Sequence, residues 1–144
     1  MVRVLCTALS SESGPHFKML ADAGHECHVP DRSRDLWNND VLIDVLQGYD
    51  AVIAGSEPYP AKVIAGLPKL RVLARAGVGF DAIDLKACDS AKIVVATTPG
   101  CNHHAVAEHA IAMLMALGRG FPALDQETRR GEWKRVSYPR ISEC

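Results

Sequence analysis

The stretch RVLARAGVGFDAID, residues 71–84, is the key to the fold of this chain. Its first half is an apolar run typical of a buried parallel strand. Its second half, from Gly77 to Ala82, reads G-x-G-x-x-A, the glycine pattern of a dinucleotide-binding turn. A glycine pattern alone is weak evidence, so its meaning has to be judged from the segments around it.

Short apolar strands alternate with helical segments on both sides of this stretch. Strand patterns cover 2–7, 25–30, 50–56, 70–77 and 93–99, and helical patterns cover 14–24, 39–49, 60–68 and 84–92. This alternation predicts an α/β fold in which helices cover both faces of a parallel sheet. The right-handed crossover rule favours a flavodoxin-like, five-stranded sheet with strand order 2-1-3-4-5. Either Asn38 or Asn39 is expected to cap the second helix, and Asp84 the fourth.

The pattern changes after Pro99, where a long helical stretch begins. Residues 105–117 are apolar almost all round, so we expect this helix to be buried on several sides. Pro122 bends or restarts the helix, which continues as an amphipathic segment to about Gly131. We expect another domain, another subunit, or both to cover the apolar part.

Composition excludes several classes of function. The chain has 144 residues and a formal net charge of −1 without long charge blocks, which argues against nucleic acid binding. The apolar run 105–117 is too short to span a membrane and contains Glu108 and His109. Five cysteines without C-x-x-C spacing indicate neither a disulfide framework nor a metal ribbon. We therefore expect a reduced, cytoplasmic protein with no membrane or nucleic acid partner.

The start of the long helix carries the only clustered candidates for a metal site. His104 and Glu108 share a helix face at i, i+4, with His103 and His109 beside them. The motif H-E-x-x-H is absent and the ligand set is incomplete. We predict a polar helix entrance and no metal.

Three features argue against a dinucleotide at 77–82. The glycines follow the fourth strand, whereas the fingerprint normally follows the first strand of its βαβ unit. The next strand ends in Thr97-Thr98-Pro99, without the acidic residue that would hold the ribose. The following helix is short and does not begin directly after the glycines, so its N-terminus is poorly placed for a pyrophosphate.

Two alternatives remain for these glycines. They can leave backbone N–H groups open as a nest for a small anion, particularly a carboxylate, at the sheet edge where open α/β folds bind ligands. They can equally serve a plain strand-to-helix turn that needs glycine for a positive φ. The glycines alone do not favour either alternative.

Four further motifs stand in order along the chain: R-A-G-V-G-F-D-x-I-D, T-P-G-x-N, A-x-A-E-H and R-R-G-E-W. Together they resemble the D-isomer-specific 2-hydroxyacid dehydrogenases, strongly over about 50–140 and in outline before that. The resemblance implies a flavodoxin-like substrate-binding domain at 1–98. It implies that 99–144 holds the crossover and first helix of an incomplete Rossmann NAD-binding domain. The parent enzyme would transfer a hydride between NAD or NADP and a 2-hydroxy or 2-keto acid.

The resemblance also assigns roles around the glycine loop. The backbone amides of Val78 and Gly79, in the loop that starts at Gly77, match those that hold the substrate carboxylate. Arg75 matches a position that can face the substrate in phosphoglycerate-type members. These residues are the expected carboxylate-binding part of the site.

Other expected contacts lie in the loop after the third strand and at the start of the long helix. Ser56 and Glu57 border the substrate cleft, and Gly55 stands where phosphoglycerate-type members often carry arginine, which argues against a phosphorylated substrate. Asn102 and Val106 match positions near the nicotinamide.

The resemblance places the cofactor fingerprint and the catalytic arginine, glutamate and histidine beyond this chain. His103, His104 and His109 do not match the catalytic position. We therefore expect no catalytic residue here, no tight cofactor binding, and no activity from the 144-residue chain alone. We expect a homodimer through the helix 103–130. The alternative function is a non-enzymatic module that dimerises or binds a small carboxylate.

Overall fold

The computed structural model describes residues 1–8, 14–133 and 135–140. The chain forms two compact units, Met1–Gly100 and Cys101–Cys144. The division falls close to the boundary expected after residue 98, while the roles expected for the two parts stay predictions. Among the described residues, no helix is long and apolar enough to cross a membrane.

The first unit is a parallel sheet with helices between its strands. The strands are β1 (Arg3–Cys6), β2 (Glu26–His28), β3 (Ala51–Ala54), β4 (Val72–Arg75) and β5 (Val94–Ala96). The helices are α1 (Pro15–Asp22), α2 (Asn39–Leu46), α3 (Ala61–Ala65) and α4 (Leu85–Ser90). All strand pairs are parallel and the order is β2-β1-β3-β4-β5, which confirms the predicted fold.

The hydrophobic core is centred on the three middle strands. Val52 of β3 lies in register with Leu5 of β1 on one side and Leu73 of β4 on the other, and all three are fully buried. Leu42 of α2 and Val63 of α3 pack into the same cluster. Each such side chain contributes about 1.5–3 kcal/mol by leaving water, so the middle of the sheet is a rigid base for the loops at its edge.

Polar side chains determine where two of the helices begin. The side-chain oxygen of Asn38 accepts two amide hydrogen bonds from the first turn of α2, at 3.0 and 3.3 Å, so Asn38 is the cap and Asn39 is not. Asp84 Oδ1 accepts a hydrogen bond from the Ala87 amide at 3.0 Å, and the predicted cap of α4 is confirmed.

The strands are shorter than the apolar runs that predicted them. Of the run 70–77, only Val72–Arg75 forms a regular strand, and beyond it the Gly77 N–H turns back to the Arg75 carbonyl at 2.9 Å. The Gly77 carbonyl still accepts from the Thr98 N–H at 2.9 Å, so the chain leaves the sheet at Gly77, between the two glycines.

The second unit contains α5 (His103–Gly118) and α6 (Phe121–Arg129). Gly120 has a φ of 59°, and the chain restarts as a helix with proline in its first turn, as predicted for Pro122. No residue of α5 is buried among the described residues, so the predicted burial of 105–117 depends on a cover from outside them. The cover of this helix by a further domain or subunit stays a prediction.

Candidate functional site

Two loops leave the sheet side by side at the carboxyl ends of β3 and β4. Ala54 and Arg75 are paired at the ends of these strands, so residues 55–57 and 77–79 follow the ends of neighbouring strands. This edge is where open parallel sheets bind ligands. The fold thus brings the expected substrate-binding residues of the first unit to one edge.

Glu57 is buried at this edge, with 4% of its surface exposed. Its Oε1 accepts hydrogen bonds from the Thr7 hydroxyl, from the Gly55 N–H at 3.1 Å and from the Tyr59 hydroxyl at 2.9 Å. A buried carboxylate requires such donors to replace water. The donors come from the residue that follows β1 and from both sides of Glu57 itself, so this side chain is held in one place.

Tyr59 connects the Glu57 loop to the segment that follows the glycines. Its N–H donates to the Ala82 carbonyl at 2.7 Å, and its carbonyl accepts from the Asp84 amide at 3.0 Å. Burial raises the pKa of the Tyr59 phenol well above its ordinary value, and the negative charge of Glu57 adds to the rise. The phenol therefore stays protonated and remains a donor to Glu57.

Arg75 carries an unpaired donor at the end of β4. Its Nε is buried and has no hydrogen-bond partner in the described part of the chain. Its positive charge is close enough to Tyr59 to oppose the rise in the phenol pKa that burial and Glu57 cause. A buried guanidinium N–H without an acceptor is a donor available to an anion.

The glycine loop has neither of the forms expected from its sequence. Neither Gly77 nor Gly79 has a positive φ, so the turn that would need glycine on that ground is not formed. The αR–αL form of an anion nest is absent for the same reason. A Cβ added at Gly77 would lie 3.5 Å from Arg75 Nε, and one at Gly79 would lie 3.4 Å from Asp81 Oδ2, both without a clash.

What glycine provides in this loop is open access to backbone donors. Across residues 1–8, 14–133 and 135–140, no acceptor is bonded to the N–H of Val78 or of Gly79. Both residues are exposed at the sheet edge. Two free amides beside an unpaired arginine N–H suit the two oxygens of a small carboxylate.

The same part of the fold does not fit a dinucleotide. The Asp84 carboxylate already occupies the first turn of α4, so an anionic group finds no open helix N-terminus there. The helix itself has only six residues. These observations support the rejection of 77–82 as a cofactor fingerprint.

A cavity of about 300 Å³ opens beside Glu57 between the ends of β1 and β3. Its wall includes Thr7, Arg34, Trp37, Ser56 and Glu57. Ser56 is exposed there, and its expected role at the substrate cleft stays a prediction. A neighbouring cavity of about 220 Å³ shares Thr7 and Arg34. The two cavities extend the sheet edge beyond the glycine loop toward β2.

Sequence reasoning missed two residues of this edge, Thr7 and Tyr59. Thr7 follows directly after β1, at the carboxyl end of a middle strand, and that position could have indicated that it lies at the ligand-binding edge. Tyr59 stands between two prolines and carried no signal of its own.

The expected nicotinamide contacts lie in the second unit. Asn102 is the N-cap position of α5 but makes no capping hydrogen bond with its side chain, and Val106 is exposed in the first turn of that helix. Their expected role stays a prediction. Within the described residues, no group of three or more His, Cys, Asp or Glu side chains is placed to hold a metal ion.

Comparison with known proteins gives a consistent result. The family model described as D-isomer specific 2-hydroxyacid dehydrogenase, catalytic domain, matches residues 4–135. D-3-phosphoglycerate dehydrogenase of Mycobacterium tuberculosis is 39% identical over 102 residues, covering 70% of this chain and 19% of that protein. Glyoxylate reductase of Korarchaeum cryptofilum is 35% identical over 114 residues, covering 74% of this chain and 34% of that protein. The chain thus spans about a fifth to a third of the length of these relatives.

Solved structures agree with the observed fold. A 3-phosphoglycerate dehydrogenase of Entamoeba histolytica with bound NAD⁺ has a TM-score of 0.76 and 27% identity, and the match covers 97% of this chain and 43% of that one. An NAD-dependent formate dehydrogenase of Staphylococcus aureus in complex with NAD has a TM-score of 0.75 and 26% identity, with 93% and 43% covered.

Proposed function

The chain belongs to the D-isomer specific 2-hydroxyacid dehydrogenase family, and from that premise we propose that it is the N-terminal portion of a cytoplasmic, NAD(P)-dependent D-2-hydroxyacid dehydrogenase. Residues 1–98 form its substrate-binding domain, and 99–144 begin its cofactor domain. The parent enzyme interconverts a 2-hydroxy acid and a 2-keto acid. The relatives named as phosphoglycerate dehydrogenase and glyoxylate reductase support this reaction class.

The observation that carries the proposal is the set of unpaired donors at one sheet edge. The amides of Val78 and Gly79 and the Nε of Arg75 have no acceptor in the described chain. These donors bind the substrate carboxylate, and charge-assisted hydrogen bonds of this kind are among the stronger ones in proteins. Binding the carboxylate there orients the second carbon of the acid along the edge.

The surrounding residues position this edge. Glu57 and Tyr59 hold the neighbouring loop, since they bond to each other and Tyr59 bonds to the backbone on both sides of Ile83. Ser56 borders the cleft in which the rest of the acid lies. NAD or NADP, when bound to the parent, supplies or accepts the hydride. Asn102 and Val106 are proposed to lie beside the nicotinamide.

The 144-residue chain is proposed to be inactive on its own. The glycine loop does not fit a dinucleotide, and the family's catalytic arginine, glutamate and histidine have no match in this sequence. Purified chain, assayed with NADH and either glyoxylate or hydroxypyruvate, is expected to show no oxidation of NADH. A rate above the protein-free background that tracks the chain during purification contradicts this expectation.

Binding of the carboxylate is tested separately by NMR. Titrating ¹⁵N-labelled chain with D-lactate is expected to shift the amide signals of Val78 and Gly79. D-Lactamide, which has the same shape without the charge, is the control and is expected to shift them much less. Equal shifts with the two compounds, or none with D-lactate, contradict the proposed site.

A second candidate function is suggested by the long helix. Exposed apolar side chains cover α5, among them Ile111, Leu114 and Leu117. Large exposed apolar surfaces mark interaction sites. The chain would then act as a dimerisation module, and we propose a homodimer through 103–130 in either case.

A further inference from the structure

The glycine loop is anchored to the rest of the first unit at two points. At the first anchor, the Gly77 carbonyl accepts a hydrogen bond of 2.9 Å from the segment that follows β5. At the second anchor, the Ala82 carbonyl accepts a hydrogen bond of 2.7 Å from the Tyr59 N–H. Between them, residues 78–81 make no backbone hydrogen bond to any described residue beyond Ile83. The conformation of the loop therefore depends on these two anchors.

Tyr59 holds the second anchor on both sides of Ile83. Besides the bond from its N–H to Ala82, its carbonyl accepts from the Asp84 N–H at 3.0 Å, which makes a short parallel bridge opposite Ile83. Ile83 is buried and belongs to the same core cluster as the Tyr59 ring. The segment that closes the loop therefore keeps its place only while Tyr59 keeps its own.

Tyr59 is in turn fixed through its hydroxyl. The phenol donates at 2.9 Å to Glu57 Oε1, the oxygen that also accepts from the Thr7 hydroxyl and the Gly55 N–H. No described residue donates to Oε2, so Glu57 is held through one oxygen alone. Without the phenol, a buried carboxylate would lack one of its donors, and a shift of Glu57 toward water would also displace the backbone of residue 59.

We propose that Tyr59 is a positioning residue for carboxylate binding, which holds the glycine loop in its binding conformation through Ala82 and Asp84. Glu57 fixes the phenol and acts on the loop through Tyr59. This inference rests on the proposed function, because the loop must be the place where the carboxylate binds. A loop that is ordered before the ligand arrives does not have to lose that freedom on binding, so the ligand binds more tightly.

Tyr59→Phe in the 144-residue chain tests the positioning role, because it removes the hydroxyl and keeps the ring. The dissociation constant of D-lactate is measured from the amide shifts of Val78 and Gly79. We expect it to rise about fivefold, the effect of losing one hydrogen bond. Asn38→Ala is the matched control, since it weakens the fold at the cap of α2 and should change the constant less than about twofold. An equal rise in both variants shows that binding follows general stability and overturns the inference.

Two substitutions of Glu57 separate positioning from charge. Glu57→Gln keeps a side-chain oxygen that can accept from the phenol, whereas Glu57→Ala removes the acceptor. Positioning predicts that D-lactate binds about fivefold more weakly to Glu57→Ala and nearly normally to Glu57→Gln. A residue that acted by its negative charge would oppose an anion, so both substitutions would then strengthen binding. Tighter binding in both variants therefore contradicts the inference.

The double variant tests whether the two side chains act along one path. Adding Tyr59→Phe to Glu57→Ala should weaken the binding of D-lactate no further, because the phenol has already lost its acceptor. If the two effects multiply instead, the residues act independently and the route through Tyr59 is wrong.

The unmodified chain provides a test that needs no variant to fold. Titration with D-lactate should shift the amide signals of Tyr59 and Asp84 together with those of Val78 and Gly79. D-Lactamide should shift all four much less. Shifts that are confined to Val78 and Gly79 show that the anchor does not respond to the ligand, which contradicts the coupling.

The outcomes separate this inference from the proposed function. If D-lactate shifts Val78 and Gly79 but binds to Tyr59→Phe as tightly as to the unmodified chain, the positioning role is wrong and carboxylate binding stands. If D-lactate shifts neither amide in the unmodified chain, the inference and the proposed function fail together.

Discussion

The Tyr59 hydroxyl donates to Glu57 Oε1 at 2.9 Å, and both side chains are buried. The two residues are only two positions apart, but the backbone of Tyr59 is bonded to the segment that follows the glycine loop. This one contact therefore connects the loop after β3 to the loop after β4. Loss of this contact should lower the stability of the whole sheet edge.

Tyr59→Phe should lower the free energy of unfolding by about 1–3 kcal/mol, because it leaves the buried Glu57 carboxylate without one of its donors. Urea denaturation followed by circular dichroism measures the change. Tyr49→Phe is the control, since the Tyr49 ring packs against Arg3 and His28 while its hydroxyl has no partner among the described residues. A loss in Tyr59→Phe no larger than in Tyr49→Phe contradicts the prediction.

Alkaline pH should destabilise the fold through the same phenol. Its pKa is raised by burial and by Glu57, so the folded protein holds the proton more tightly than the unfolded chain. The contribution is fully present below the unfolded pKa of about 10 and is lost as the pH rises toward the folded value. The free energy of unfolding should fall more steeply above about pH 10 in the unmodified chain than in Tyr59→Phe.

Burial also raises the pKa of Cys27 and Cys88, but these thiols are present in both proteins, so their effect on the free energy of unfolding cancels in the comparison. Parallel curves for the two proteins contradict the assignment.

Gly77→Ala should separate binding from folding. The residue has no positive φ, and the added methyl makes no clash, so the free energy of unfolding should change by less than about 1 kcal/mol. The methyl would cover Arg75 Nε at 3.5 Å, so D-lactate should bind several-fold more weakly.

Gly24→Ala is the control for Gly77→Ala, because it should change stability and leave binding unchanged. Gly24 has a φ of 75° and nothing within 4 Å of an added Cβ, so the substitution strains the backbone alone. It should destabilise by about 1 kcal/mol and leave D-lactate binding unchanged. The same urea and NMR measurements serve both variants, and weaker binding in Gly24→Ala alone would falsify the assignment of the loop.

Asn38→Ala should destabilise the chain by about 1 kcal/mol, because two amides of α2 lose their acceptor. Asn39→Ala should have a smaller effect or a stabilising one, since residue 39 lies inside the helix, where alanine is favourable. Thermal unfolding of the two variants under identical conditions measures the difference. A larger loss for Asn39→Ala shows that the cap has been assigned to the wrong residue.

Self-association should depend on α5. The exposed apolar face of this helix is expected to form dimers or larger species at tens of micromolar, which light scattering coupled to gel filtration detects. Ile111→Glu should shift the chain toward monomer, because burying an unpaired charge in an apolar interface costs much free energy. Met19→Glu replaces a similarly exposed apolar side chain on α1 and should leave the association unchanged. A monomer in the unmodified chain contradicts the predicted interface.

The part of the site that could be predicted is the part that follows from strand ends. Ser56, Glu57, Arg75 and the loop 77–79 were all expected at the carboxyl edge, and the paired ends of β3 and β4 place them there. Their contacts could not be predicted. Thr7 bonds to Glu57 across 50 positions of sequence, and no local pattern carries information over that separation.

The conformation of the glycine loop shows a second limit. Glycine in a turn predicts a positive φ only as a tendency, and neither Gly77 nor Gly79 has one. Their lack of a side chain instead leaves the backbone N–H groups of the loop accessible to a ligand. Likewise, apolar character all round a helix predicts burial, but no residue of α5 is buried in the described chain. Such patterns say which surfaces avoid water without saying which molecule covers them.

The sequence by itself determined the parallel sheet, its strand order and the Asp84 cap, and it narrowed the cap of α2 to Asn38 or Asn39. These follow from local chemistry: apolar runs form strands, capping side chains start helices, and right-handed crossovers leave few topologies. Only the tertiary structure decided which polar atoms at the sheet edge are already bonded and which are open. That depends on which strands become neighbours, because Thr7 reaches Glu57 only once β1 and β3 lie side by side. The open amides of Val78 and Gly79 and the unused oxygen of Glu57 are what remains after those internal bonds have formed.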